Sequence, residues 1–178
     1  MEIRADALVS FPRPLVFATY RDHVVELVPH LPNIRAIEVR ERVDEGAVVR
    51  VVSVWHGGGD IPTAARTFLS EAMLSWTDHA RWDEDAYTVT WRIEPHAFTE
   101  AVRCEGVNRF IEAGEGCTRV EIRGGLTVDA AEVRGVPRLL AKRVSRIAEE
   151  RLVAHITPNL ATASQGVERH LMDARNPR

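Results

Sequence analysis

Leu74-Ser75-Trp76-Thr77-Asp78-His79-Ala80-Arg81-Trp82, the break Asp83-Glu84-Asp85, and Ala86-Tyr87-Thr88-Val89-Thr90-Trp91-Arg92-Ile93-Glu94 form the stretch that decides the fold. Before the break, Leu74, Trp76, Ala80 and Trp82 share one parity; after it, Tyr87, Val89, Trp91 and Ile93 do. A two-residue period belongs to strands buried on one face, and a short polar break between two such runs predicts an antiparallel hairpin. Both apolar faces carry tryptophan, so the hairpin presents an aromatic wall to whatever covers it.

Working outward, the same alternation predicts strands at 34–43, 47–56, 101–111 and 118–128, besides 74–83 and 86–94. They are separated by Asp44-Glu45-Gly46, Glu94-Pro95-His96 and Gly114-Glu115-Gly116, which supply turn residues. At the N-terminus Ile3, Ala5, Ala7, Val9 and Phe11 alternate with Arg4, Asp6 and Ser10, giving a first strand over 2–11. After Pro12 and Pro14, Leu15, Val16, Thr19, His23 and Leu27 approach helical spacing, which predicts one or two short helices over 13–30. Residues 57–72 interrupt the meander: Gly57-Gly58-Gly59-Asp60-Ile61-Pro62 leads into a short helical stretch at 63–69, a segment suited to a lid or to a plain surface crossover. From Pro137 to Met172 the positions Leu140, Val144, Ala148, Leu152, Ile156, Leu160, Ala163, Val167 and Leu171 step by three or four, predicting one long amphipathic helix with a kink ahead of Pro158. The expectation is a single α+β domain over 1–178: a curved seven-stranded antiparallel sheet wrapped around the C-terminal helix, with two short helices after strand 1.

That order of elements resembles the helix-grip fold of the START and Bet v 1-like (SRPBCC) superfamily, and the resemblance spans nearly the whole chain. Local motifs resemble its PRELI-type lipid-transfer branch: Ser53-Val54-Trp55-His56-Gly57, Ile61-Pro62, Asp78-His79-Ala80-Arg81-Trp82-Asp83, Phe98-Thr99, and Thr118 with Leu126-Thr127-Val128. The sequence departs from that branch in having Lys142 as its single lysine where the branch carries headgroup lysines, and Ala80 in place of a serine. The resemblance implies an apolar cavity between sheet and last helix.

Composition narrows the function. Of 178 residues 45% are hydrophobic and 28% charged, values of a folded globular chain. A net charge of -3 lacks the basicity of duplex-DNA binders, so no nucleic-acid partner is expected. The charged start Met1-Glu2-Ile3-Arg4 lacks the pattern of a secretory signal, and a cytoplasmic protein is expected. Cys104 and Cys117 are too few for a disulfide framework. If the last hairpin turns about Gly114, Cys104 lies opposite the neighbourhood of Gly124 and Cys117 opposite Phe110 or Ile111, which keeps both thiols reduced. Seven histidines show no His-x-x-x-His, and His79, His96 and His155 have no ligand partner at metal spacing; neither a metal site nor a cofactor is expected.

Trp55, Trp76, Trp82 and Trp91 suit the wall of a ligand cavity, since indole offers a large apolar body and one N–H donor. Asp78 shares the parity of Trp76 and Trp82, so its carboxyl is expected to face the concavity, where burial raises its pKa. Asn108 and Cys104 share the concave parity of Phe110. The predicted ligand-binding set is Trp55, Trp76, Asp78, Trp82, Tyr87, Val89, Trp91, Asn108, Leu126, Leu152, Ile156 and Leu160, with no catalytic residue assigned. Arg134, Arg138, Lys142 and Arg146 recur every four residues, suiting transient contact with an anionic membrane or a solvated outer face. The expected function is non-enzymatic binding or transfer of an apolar or amphipathic small molecule. The alternative is a polyketide aromatase/cyclase-like enzyme in which Asp78 and Arg92 orient and protonate substrate, and a third reading is an interaction module using the outer sheet face. Oligomeric state is left open.

Overall fold

A computed structural model describes residues 1–31, 33–58 and 70–175 of the chain. Seven strands form one antiparallel sheet: β1 (Glu2–Val9), β2 (Ile34–Glu45), β3 (Val48–Gly57), β4 (Ser75–Asp83), β5 (Thr88–Pro95), β6 (Val102–Glu112) and β7 (Thr118–Val128). Their spatial order is β1-β7-β6-β5-β4-β3-β2, so β2 to β7 are a plain meander and β1 crosses to pair with β7. This is the expected α+β helix-grip architecture. Among the described residues two helices accompany the sheet, α1 (Arg13–Asp22) and α2 (Arg138–Arg175), with short 3-10 turns at Val28–His30, Glu71–Met73 and Ala130–Glu132. No helix among the described residues is long and apolar enough to cross a membrane.

Local chemistry sets the element ends. Pro12 and Pro14 open α1, where a missing N–H costs nothing because the first amides of a helix have no internal partner. The helix ends at Asp22, and a separate 3-10 turn follows within the expected 13–30 helical region. The helical assignment of α2 continues unbroken through position 158. The crossover helix expected at 63–69, with Ile61-Pro62, lies outside the described residues. Its flanks are joined: the Gly57 N–H donates to Leu74 O at 2.7 Å and the Gly58 N–H to Asn33 O at 3.0 Å.

Three expectations need correction. Tyr87 is not in a strand; it closes the β4–β5 turn at φ 49°, and β5 starts at Thr88. The β6–β7 hairpin turns about Glu115 rather than Gly114. Ala113 and Cys117 close the loop at 2.9 Å, and Gly114 and Gly116 take φ of 125° and 66°, conformations that a side chain disfavours. Cys104 therefore pairs with Leu126 instead of the neighbourhood of Gly124, although both cysteines are free as expected. The third correction concerns α2. Leu140 (50% accessible), Val144 (38%) and Leu152 (37%) are exposed, and the seam facing the sheet begins with Ala141 and Ser145 and continues through Val153, Ile156 and Leu160. Polar anchoring sets that phase: Ser145 Oγ accepts the Ala130 N–H and Glu149 Oε1 the Val128 N–H, both at 2.9 Å.

The main core lies under α1 and the last turns of α2. Phe17 meets Trp82, Tyr87 and Phe110 edge-on with centroids 5.2–5.3 Å apart, a preferred aromatic geometry, and Val167 and Leu171 close the cluster. A second cluster, Ile3, Cys104 and Leu126, packs against Trp91, Ile93, Val153, Ile156 and Leu160.

Candidate functional site

Cross-strand partners share a face, so the register lays out the inner wall in rows. One row runs Ser53, Asp78, Ile93, Cys104, Leu126; the next runs Val51, Ala80, Trp91, Gly106, Gly124, Ile3; a third runs Val49, Trp82, Val89, Asn108, Ile122, Ala5. Trp55 pairs with Trp76 beside the first row, the two indoles stacked with centroids 6.0 Å apart and planes 17° from parallel. Asp78 thus lies on the inner face among aromatic and aliphatic neighbours.

The sequence-predicted residues separate into two groups. Trp82 (8% accessible) and Val89 (2%) are packed into the core beneath Phe17, and the Tyr87 ring is held there by Phe17 and by the Arg13 guanidinium 4.0 Å from its centroid. Trp55, Trp76, Asp78, Trp91 and Asn108, with Ile93, are only half-buried on the same face, and Ile156 and Leu160 of α2 are half-buried too. Leu126 is fully buried behind Ile156 and Leu160, and Leu152 lies beside the seam, toward solvent. Arg92 points to the outer face, 57% exposed and beside Glu94, so it cannot act with Asp78 on a molecule bound inside.

Two glycines shape the wall, and neither belongs to the predicted set. A Cβ on Gly106 would stand 2.5 Å from Arg123 O and against the Trp91 ring, and one on Gly124 would stand 2.7 Å from Glu105 O and 2.9 Å from the ring. The Trp91 indole therefore lies against β6 and β7 where those strands have no side chains. Its Nε1–H donates to Asn108 Oδ1 at 2.8 Å, leaving the Asn108 amide N–H groups for other acceptors. The Trp55 Nε1–H donates to Ser53 Oγ at 2.9 Å. The signal that could have found the floor is the facing of Gly106 and Gly124, which becomes visible only with the right hairpin register.

The polar groups left over are few. Among the described residues nothing hydrogen-bonds Asp78 or the Trp76 indole. Asp78 is enclosed by protein yet keeps accessible surface, and burial pushes its carboxyl up to about 7 from 3.8. Burial likewise pushes the neighbouring Cys104 thiol up to about 11, with the charges of Glu105 and Asp78 adding to the shift, so it stays protonated at neutral pH. At the α1 end, Tyr20 OH donates to Ser164 Oγ at 2.7 Å and ties α1 to α2. An open recess of about 520 Å³ on the outer face is bordered by Arg50, His79, Arg81 and Arg92, whose charges are met by Glu45, Asp83 and Glu94.

No family model matches the sequence, and none of the curated proteins matches it. Solved structures do match along nearly the full chain. TTHA0849 from Thermus thermophilus is 19% identical with a TM-score of 0.66, covering 98% of this chain and 99% of its own. The Zhui aromatase/cyclase from Streptomyces sp. R1128 is 15% identical with a TM-score of 0.69, covering 99% and 96%. Norcoclaurine synthase from Thalictrum flavum is 10% identical with a TM-score of 0.59, covering 97% and 87%. At these identities the likeness is one of fold: the chain has the Bet v 1-like helix-grip fold.

Proposed function

We propose that this protein binds one apolar or amphipathic small molecule between the inner face of the sheet and α2, and carries it without altering it. The observation that carries this reading is the half-burial of Trp55, Trp76, Asp78, Trp91 and Asn108 on the inner face of the sheet, where a filled core would leave them as inaccessible as Trp82 and Val89. The wall suits a flat apolar body. Near neutral pH the Asp78 carboxyl donates or accepts a hydrogen bond, and the Trp76 N–H donates one, so the ligand carries a hydroxyl or carbonyl at one end. Native mass spectrometry of freshly purified protein is expected to show a retained molecule. Titration with oleate and with a hydroxylated anthraquinone is expected to change tryptophan emission at micromolar ligand for at least one of them; flat titrations with both, and an empty protein in the spectrum, overturn the reading.

A second reading, an aromatase/cyclase-like enzyme, is favoured by one observation: a carboxyl held near pH 7 suits proton transfer at neutral pH. Cys104, protonated up to about 11, is its titratable neighbour in the same row and supplies no complementary base. Conversion of a bound polyketide by the wild type and not by Asp78→Asn would decide for the enzyme.

The ligand is loaded from an anionic membrane through the start of α2. Leu139 is 97% accessible, Leu140, Val144 and Ile147 are exposed beside it, and Arg134, Arg138, Lys142 and Arg143 lie in the same segment, while Arg146 pairs with Glu150 at 3.0 Å. Such a surface buries apolar side chains among lipid headgroups while its cations meet lipid phosphates. Sedimentation with phosphatidylglycerol vesicles, and not with phosphatidylcholine vesicles, is the expected result. Leu140→Glu with Ile147→Glu should abolish it, and equal sedimentation of that variant would refute membrane loading.

A further inference from the structure

The fold brings His23, just after α1, and Glu26 together with His170 near the end of α2, and the facing ligand atoms of all three lie within 4.8 Å of one another. His23 Nδ1 is 3.0 Å from Glu26 Oε2, and His170 Nε2 is 3.7 Å from the same oxygen. The His23 and His170 rings are 5.9 Å apart, and the His30 ring stands 6.0 Å from His170, with its Nε2 3.9 Å from Asp173. From this geometry we infer that His23, Glu26 and His170 form a binding site for a divalent transition metal of the zinc class, clipping the end of α2 to the segment after α1.

Two imidazoles and one carboxylate are a donor set that zinc, cobalt and nickel accept, with remaining positions open to water. A tetrahedral ion about 2.1 Å from each donor holds them about 3.4 Å apart; Glu26 already stands 3.0 and 3.7 Å from the two imidazoles, so the two histidines, within 4.8 Å of each other, make the main adjustment. His23 and Glu26 are exposed and can rotate to do so, whereas His170 is half-buried and set by the helix. Without an ion the same atoms make the His23–Glu26 and His170–Glu26 ion pairs only when the rings are protonated. A metal replaces those protons, and binding therefore weakens as the pH falls. The consequence is mechanical. The clipped turns belong to the helix whose earlier residues Ile156 and Leu160 pack against the inner wall of the sheet, and an ion bound only by the folded chain stabilises that arrangement.

The test uses the full chain without a polyhistidine tag, freed of metal by chelator and titrated with Co²⁺ and Zn²⁺ at pH 7.5. One equivalent is expected, with visible d–d absorption for cobalt, a rise in melting temperature, and loss of the signal at pH 5.5. His23→Gln and Glu26→Gln change exposed side chains and should fold normally, and each should weaken binding about 100-fold, as should His170→Ala; His79→Ala should not. No binding, or binding that the His23 and Glu26 variants leave unchanged, overturns the inference.

Discussion

Asp78→Asn is expected to raise the melting temperature at pH 8 and to leave it nearly unchanged at pH 4. A carboxyl whose folded-state pKa is pushed up to about 7 from 3.8 binds its proton more tightly in the native than in the unfolded chain. Below about pH 4 both states are protonated and Asp78 costs nothing; the penalty grows as pH rises toward 7 and is complete above it. Three pH units correspond to at most about 4 kcal/mol, reduced by solvent screening because Asp78 keeps accessible surface. Asparagine keeps the shape and removes the charge, so its advantage should appear between pH 4 and 7 and level off beyond. Ligand binding should change in the same variant, because the amide cannot ionise and offers N–H donors in place of the carboxyl O–H. Thermal unfolding at several pH values with a parallel titration separates the roles. A melting temperature lowered at every pH, with unchanged ligand selection, would mean that Asp78 is held by a structural cation instead.

The second large effect belongs to the floor under Trp91. Gly124→Ala and Gly106→Ala should each destabilise the fold by about 3 kcal/mol, since the added methyl meets a strand carbonyl at 2.7 Å or 2.5 Å as well as the indole. For a chain of this size that is a fall of roughly 6–12 °C in melting temperature. The carbonyl contacts cannot be relieved by moving the ring, so the strands must separate locally and the Trp91 ring must lift off them. Ligand binding should therefore weaken even at temperatures where the variants stay folded. Gly125→Ala is the internal control: its Cβ would meet only Met1 O at 3.9 Å, and its stability should stay within about 0.5 kcal/mol of wild type. Equal stability of the Gly124 and Gly125 variants would contradict the close packing of Trp91 on β6 and β7.

Much of this architecture was legible in the chain because strand alternation is a local property. Each residue's parity follows from its neighbours two positions away, and Trp76, Asp78, Trp82, Val89, Trp91 and Asn108 all lie on the face that parity assigned. Division of that face into a packed half and an accessible half was not legible. Trp82 and Trp76 have the same parity and chemistry, yet one is covered by Phe17 from α1 and the other is not.

What the sequence by itself determined is the order of elements, the inner and outer face of each strand, and the position of Asp78 among apolar neighbours. Tertiary structure alone decided three further things. The pairing of Gly106 with Gly124 depends on a loop turning at Glu115, one residue from the centre that the sequence suggests. The rotation of α2 depends on Ser145 and Glu149 finding the backbone of residues 130 and 128, contacts that helical spacing cannot encode. The meeting of His23, Glu26 and His170 depends on where two ends of the chain come to rest, because spacing along a sequence reports only ligands carried by one element, and these are carried by two.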